Sequence, residues 1–382
     1  LFTLRQYLIT LADSHGLTRT LGEIEVCRDE QGHMSYTVGN SAAVFRIRHR
    51  GRIRSLRCYM HTPRRLREIY AEKFLPQELF LYTSPSDGVW VDAVLGEWID
   101  GITLYQAVCD AAPAEDSQQL QRLAAAFDRL AASLVADNWA HGDLKPENII
   151  VDESGELHLI DFDAMYLPAF AAEQSQELGT KAYQHPARTT ADFDASLDDY
   201  PAALISTALH ALALDPTLYI RYPDADGLLF TPQYIHTDPA LEEALALFER
   251  QGLATQYRIA RLLTAPTHRL SGLADLLTYA AEQHTATSHS AVPELFVQDG
   301  LWGYRTRERI IIPPLYDCGF DFTEKLAAVQ LGKTWHFIDP AGCIRLSCPE
   351  CEAVKPFRGE RAQVIRNGRR LEIDRTGREF EV

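Results

Sequence analysis

The stretch that most constrains this chain is His141-Gly142-Asp143-Leu144-Lys145-Pro146-Glu147-Asn148-Ile149-Ile150, with Leu159-Ile160-Asp161-Phe162-Asp163 placing Asp161 thirteen residues past Asn148. Ile149–Val151 and Leu157–Ile160 are short apolar β runs, and Ser154-Gly155 between them is turn chemistry. The spacing predicts a tight hairpin with an acid, a cation and an amide at its entrance and a second acid at its exit. Few folds need so many polar groups converging beside so short a hairpin.

That set of groups has a chemical reading. Phosphoryl transfer requires a carboxylate to orient the attacking hydroxyl, a cation near the transferring phosphate and oxygen ligands for Mg²⁺. Asp143 fits the first role and Lys145 the second, while Asn148 and Asp161 fit as metal ligands. The segment resembles the catalytic loop and metal-binding motif of the protein kinase superfamily. Lys145, two residues after Asp143, is closer to Ser/Thr kinases than to Tyr kinases or aminoglycoside-type phosphotransferases. Other landmarks of the resemblance follow in order over about residues 20–283. Thr37–Val44 resembles a glycine-rich loop in which only Gly39 survives, with Val44 at its end. Glu97, Trp98 and Ile99, before Asp100-Gly101, resemble the hinge whose backbone binds the adenine edge, and Gly96 suggests an open back pocket. Gly179-Thr180, Tyr183 and Pro186 resemble the end of an activation segment running from Asp161 to Arg188. Asp198 resembles the aspartate that braces the catalytic loop from beneath.

Three positions depart from the pattern. Arg57, in Ser55-Leu56-Arg57-Cys58-Tyr59, stands where the family has its phosphate-contacting lysine; it stays cationic but is longer and planar. Its expected partner is Glu68 on the following helix, with Glu72 the alternative one turn on. Gly142 replaces an arginine that pairs with a phosphorylated activation segment, which implies activity independent of that modification. Asp163 replaces the glycine of the metal motif, either to bind metal or to face solvent. The resemblance implies an α+β, bilobal protein-kinase-like fold, with ATP and Mg²⁺ as cofactors and Ser or Thr of a protein partner as acceptor. Asp143, Asn148 and Asp161 are expected to meet in a cleft between the lobes. A pseudokinase scaffold acting through protein contacts is the competing expectation, and a small-molecule kinase the third.

Local patterning agrees with that outline. Leu4, Leu8 and Leu11 have helical spacing within 1–14. Short β runs follow at Glu23–Cys27, Val44–Arg48, Ile53–Tyr59, Leu79–Tyr82 and Gly88–Trp98, with a helix at Arg64–Lys73 stopped by Pro76. Helical periods then dominate at Gln118–Val135, Tyr200–Ala213, Leu241–Gln251 and Gln256–Leu263. The expected divisions are an N-terminal extension and small lobe at 1–96, a hinge and large lobe at 97–283, a linker at 284–293 and a β-repeat domain at 294–382. Acidic residues outnumber basic ones 53 to 37, which argues against general nucleic-acid binding. Arginines nevertheless crowd between Arg46 and Lys73, as a solvated β surface or a docking patch for an acidic partner. No apolar run reaches membrane-spanning length, no secretory layout opens the chain, and seven scattered cysteines suit a reducing interior. A cytoplasmic location is therefore expected, and the start at Leu1 rather than Met raises the expectation of upstream residues.

Beyond the linker, Phe322–Gly342 and Phe357–Gly377 align at a period of about 35 residues: Ala327-Ala328-Val329 matches Ala362-Gln363-Val364, and Ile338-Asp339 matches Ile373-Asp374. An earlier copy supplies Asp299–Tyr304 and Ile311–Asp317. This is similar to bacterial WG repeats, which implies a protein-contact role. Trp302, Trp335, Phe322 and Phe357 read as core, with a ligand-reading aromatic surface as the alternative. Cys348-Pro349-Glu350-Cys351 has zinc-ligand spacing but no second pair to match it.

Overall fold

A computed structural model of the protein describes residues 2–39, 41–223, 227–283, 292–307 and 309–381. Asn40 of the glycine-rich loop and residues 284–291 of the expected linker lie outside them. The chain divides into two compact units, Leu1–Gly101 with Asp161–Met165, and Ile102–Ile160 with Tyr166–Val382.

In the first unit α1 (Leu4–Ala12) begins with a capping box, in which Thr3 and Gln6 satisfy each other's backbone N–H groups. A six-stranded antiparallel sheet follows, built from β1 (Glu25–Val26), β2 (Tyr36–Val38), β3 (Ala42–His49), β4 (Arg52–Tyr59), β5 (Phe74–Ser84) and β6 (Asp87–Glu97). Its order is β1-β3-β4-β6-β5, with β2 also paired to β3. Phe45, Ile47 and Leu56 are fully buried with Tyr7 and Leu11 of α1. Each such side chain contributes about 1.5–3 kcal/mol by leaving water. The helix expected at Arg64–Lys73 is only Leu66–Tyr70 (α2) with a 3-10 turn after it. Pro76 does not stop it. Ala71 at φ +46° ends the α-helical turn, and β5 begins at Phe74. Pro76 falls inside β5, an edge strand, at the register shift between Leu75 and Leu79, where a missing N–H is tolerated.

The second unit opens with β7 (Ile102–Thr103), α3 (Leu104–Ala111) and α4 (Ser117–Ala136), then the hairpin β8 (Ile149–Val151) and β9 (Leu157–Leu159). After them come α5 (Asp199–Leu214), α6 (Leu218–Arg221), α7 (Pro239–Gln251), α8 (Ala254–Leu262) and α9 (Leu273–Gln283). Apolar almost all round, α5 is the buried axis of this bundle. Asp128 of α4 is fully buried against it and accepts from Ser206 Oγ and His210 Nε2, each at 2.7 Å.

Three antiparallel sheets complete the unit: β10 (Glu294–Gln298), β11 (Leu301–Arg305) and β12 (Ile310–Tyr316); β13 (Cys318–Gly319), β14 (Ala327–Leu331), β15 (Thr334–Ile338) and β16 (Ile344–Cys348); and β17 (Cys351–Val354), β18 (Arg361–Arg366), β19 (Arg369–Asp374) and β20 (Glu379–Glu381). The last two repeat one register, since Ala327 pairs with Ile338 as Ala362 pairs with Ile373. Their turns repeat as well. Asp339 Oδ1 accepts from the N–H of Ala341 and Cys343, and Asp374 Oδ1 from Thr376 and Arg378. Trp335 and Phe357 are buried, and Trp302 and Phe322 pack against a core cluster, so these aromatics are core. The strands rest on the helices: Tyr304, Leu315 and Val329 share a cluster with Ala254, Tyr257, Leu276 and Tyr279.

Candidate active site

The 141–148 segment, read from sequence as a catalytic loop, sits in the second unit. Asp198, at the N-cap of α5 and 1% exposed, accepts from the backbone N–H of His141 and, at 3.0 Å, of Gly142. Burial pushes its carboxyl up, and these donors oppose the shift. His141 Nε2 lies 2.8 Å from the Ile160 carbonyl, and the Ile160 N–H donates to Asn148 O at 2.9 Å. The hairpin is thereby fastened to the loop immediately before Asp161 in the chain.

Asp143 is held from three directions. Its Oδ1 accepts from the Thr180 N–H at 2.5 Å, and its Oδ2 lies 3.1 Å from Lys145 Nζ and 3.2 Å from Asn148 Nδ2. Lys145 Nζ also donates to Thr180 Oγ1 at 2.7 Å, tying the 179–183 segment to the loop. Gly179 makes this approach possible. At φ +72°, an added Cβ there would meet Asp143 Oδ1, Gln184 Nε2 and Gly142 O, each at 2.9 Å. Gly142, read from sequence as a lost arginine, has φ +80°, a left-handed conformation that glycine adopts without strain. An unanticipated arginine lies alongside: buried Arg188 donates to Gly142 O at 3.2 Å and to Gln184. No local periodicity marks such a residue.

In the first unit Arg57 lies on β4, directly opposite Val44 on β3 and Val94 on β6. Opposed residues share a sheet face, so Val44 and Arg57 look the same way. The guanidinium bonds Asp161 Oδ1 through both Nη1, at 2.9 Å, and Nη2, and its Nη1 lies 3.5 Å from Asp163 Oδ2. The expected pairing with Glu68 does not form. Glu68 is exposed and joined to Arg65 at 2.9 Å, and Glu72 is exposed too, because the short α2 does not carry them inward. Asp163 neither faces solvent nor stands open to a metal. Its side chain is 7% exposed, and its Oδ1 accepts from Tyr59 Oη at 3.0 Å and Tyr70 Oη at 2.7 Å. Burial raises both phenols well above their usual range, so both remain protonated donors. Burial also works against the Arg57 charge, but its neighbouring acids Asp161 and Asp163 hold it in the charged form. Asp161 itself has φ +66°, a strained conformation for a side-chain-bearing residue and one that Asp tolerates better than most.

The remaining candidates are altered by their surroundings. Gly39 closes the β2–β3 turn by donating its N–H to Ala42 O at 2.8 Å, so that group is not free to cover a phosphate. Gly96 leaves no open pocket: an added Cβ would meet Ser55 Oγ at 2.7 Å, and that hydroxyl donates to Glu97 O at 2.9 Å. The Glu97 side chain pairs with Arg54, and Trp98 donates its Nε1 to Asp100 at 3.0 Å, while Ile99 is half-buried. Much of the basic run is internally neutralised, with Arg46 on Asp100 and Arg48 on Glu25 besides. For Mg²⁺ the donor chemistry is suitable. Asn148, in the second unit, directs its Nδ2 at Asp143, so its amide oxygen is the atom it would offer a cation; Asp161, in the first unit, takes both Arg57 bonds on Oδ1 and would offer Oδ2. Both are hard oxygens of the kind Mg²⁺ takes.

A model of the phosphotransferase enzyme family APH matches residues 97–171, the segment that contains Asp143, Lys145, Asn148 and Asp161. No curated protein matches the chain. Similarity over this segment supports a kinase-like phosphotransferase. Among the described residues, no helix is long and apolar enough to cross a membrane.

Proposed function

We propose that the chain transfers the γ-phosphoryl group of ATP to a Ser or Thr hydroxyl of a protein, using a small lobe at 1–96 and a large lobe at 97–283. The observation that carries this reading is the Asp143 carboxylate, oriented by Lys145, Asn148 and the Thr180 N–H. In this role Asp143 aligns the attacking hydroxyl and takes its proton, while Lys145 sets positive charge beside the transferring group. Asn148 and Asp161 are the residues that would hold Mg²⁺, which when bound would neutralise part of the charge on ATP. The Lys145–Thr180 tether favours a polypeptide acceptor, because it sets a stretch of backbone beside Asp143 against which an extended substrate can lie. Partner selection falls to the WG-like strands beyond Glu294.

A small-molecule hydroxyl is the second reading, favoured by the APH family match. A scaffold without turnover is favoured by the Arg57–Asp161 pair and the occupied Gly39 N–H. Transfer from labelled ATP with Mg²⁺ to the chain itself, to generic proteins and to hydroxylated small molecules separates the three. Asp143→Asn should lower transfer by about 10²–10⁴-fold, the usual worth of a general base. Equal label in wild type and variant would remove Asp143 from its role. No label on any acceptor would leave the scaffold.

A further inference from the structure

We infer that Asp163, clamped by Tyr59 and Tyr70, is the positioning counter-ion of Arg57, in place of a carboxylate from the helix that follows β4. The inference rests on the phosphotransferase reading and concerns a residue to which that reading assigns nothing.

The chemistry is that of one cation shared by two acids. Arg57 has an 11% exposed side chain, so its guanidinium needs a charge partner where little water reaches it. Asp161 and Asp163 both supply charge, yet they differ in what else they touch. The Asp161 side chain is 39% exposed and makes its Arg57 contacts through one oxygen. Asp163 is buried, and two phenol donors fix its Oδ1 so that Oδ2 points at Arg57. Tyr59 comes from the same strand as Arg57, two residues on and therefore on the same face. Tyr70 ends α2, whose glutamate lies on the exposed side. The helix thus contributes a hydroxyl that holds the acid, rather than the acid itself. Arg57 keeps its shorter contacts with Asp161 Oδ1, and Asp163, 3.5 Å away, adds a second negative charge to the same guanidinium, so that the Asp161 carboxylate is not its sole counter-charge. Without Asp163, Arg57 has Asp161 as its remaining acid and competes with Mg²⁺ for it.

The full-length chain tests this by calorimetric titration with ATP across a series of Mg²⁺ concentrations. Asp163→Asn should raise the Mg²⁺ needed for half-maximal nucleotide binding at least tenfold. Tyr70→Phe, which removes one donor and keeps the buried ring, should move it about threefold in the same direction. Glu68→Gln should leave it unchanged. In transfer assays Asp163→Asn should change KM for Mg²⁺–ATP more than kcat. Tyr70→Phe decides the matter if Asp163→Asn fails to fold. Wild-type-like Mg²⁺ dependence in the folded variants, or an equal shift in Glu68→Gln, overturns the inference and leaves the phosphotransferase reading standing. A wild-type chain that binds no nucleotide with Mg²⁺ sinks both.

Discussion

Asp143 accepts from a backbone N–H, an ammonium and an amide within about one side-chain length, and Gly179 is what lets the N–H donor come so close. Replacing Gly179 with Ala puts a methyl within 2.9 Å of the carboxylate and of the Gly142 carbonyl at a backbone angle of +72°. Left-handed backbone at a non-glycine residue costs about 1 kcal/mol before any clash. On the proposed function the displaced carboxylate then loses its alignment with the attacking hydroxyl. Gly179→Ala should therefore lower kcat for phosphoryl transfer at least tenfold, on the order of 1.4 kcal/mol in the barrier. Nucleotide affinity, measured by calorimetry, should stay within threefold of wild type; a matching loss of affinity would instead mean that the whole loop had collapsed. At this scale the sequence was informative where chemistry is written in adjacent residues, as in Asp143 to Asn148. It was uninformative where a partner is chosen by folding. Arg57 and Asp163 are 106 residues apart, and nothing in either neighbourhood announces the other. Glu68 was the natural expectation because helical spacing can be read locally, whereas the truncation of α2 at Ala71 cannot.

Between elements, the contact of α7 with the C-terminal strands turns on one neutral histidine. His336 on β15 is fully buried, with Nε2 3.0 Å from the Glu249 carbonyl and Nδ1 2.9 Å from Ser347 Oγ. Nε2 must donate to the carbonyl, which leaves Nδ1 to accept from the serine hydroxyl. A second proton would have only a hydroxyl already committed as donor to meet. Burial accordingly brings the His336 pKa down to about 4. The unfolded chain takes up the proton near pH 6.5 and the folded chain does not, so stability is full above 6.5 and falls as the pH drops toward 4. The loss at pH 5 should be on the order of 2 kcal/mol. Urea midpoints at pH 7 and pH 5 measure it, and His336→Gln should flatten the difference; an unchanged slope in that variant would assign the acid sensitivity elsewhere. Strands and long helices were legible because their periods are local. The Gln118–Val135 expectation became Ser117–Ala136, and Tyr200–Ala213 became Asp199–Leu214. The turns share one chemistry that folding reveals: Asp29 and Asp152 accept from the second and fourth N–H onward as Asp339 and Asp374 do. The helix–strand contact was not legible, because Glu249 and Thr334 meet across 85 residues without any shared pattern.

For the whole molecule, the sequence pattern suggested a module joined by a linker, while the packing makes the strands beyond Glu294 part of the second unit. Glu249, an acid at the C-terminal end of α7 where the helix dipole disfavours it, accepts from Lys333 N at 2.7 Å and from Thr334 Oγ1 at 3.0 Å. Arg258 of α8 donates its Nε to Leu315 O at 2.6 Å and its Nη2 to Asp317 at 2.9 Å. Between these polar ties lies the apolar seam of Ala254, Tyr257, Leu276 and Tyr279 against Tyr304, Leu315 and Val329. A seam of this kind couples the unfolding of its two sides, because neither can open without exposing the other's apolar surface. The second unit should therefore melt with helices and strands together, by helix-sensitive circular dichroism at 222 nm and by fluorescence of Trp302 and Trp335 in a chain whose other tryptophans are replaced by Phe. Removing residues 294–382 should lower the helical melting temperature by at least about 5 °C, the shift expected for a loss of a few kcal/mol in a unit of this size. It should also raise binding of a hydrophobic dye, since the stripped faces of α8 and α9 would meet water. A truncated chain that melts at the full-length temperature and binds no extra dye would show that the strands are carried by the helices without supporting them.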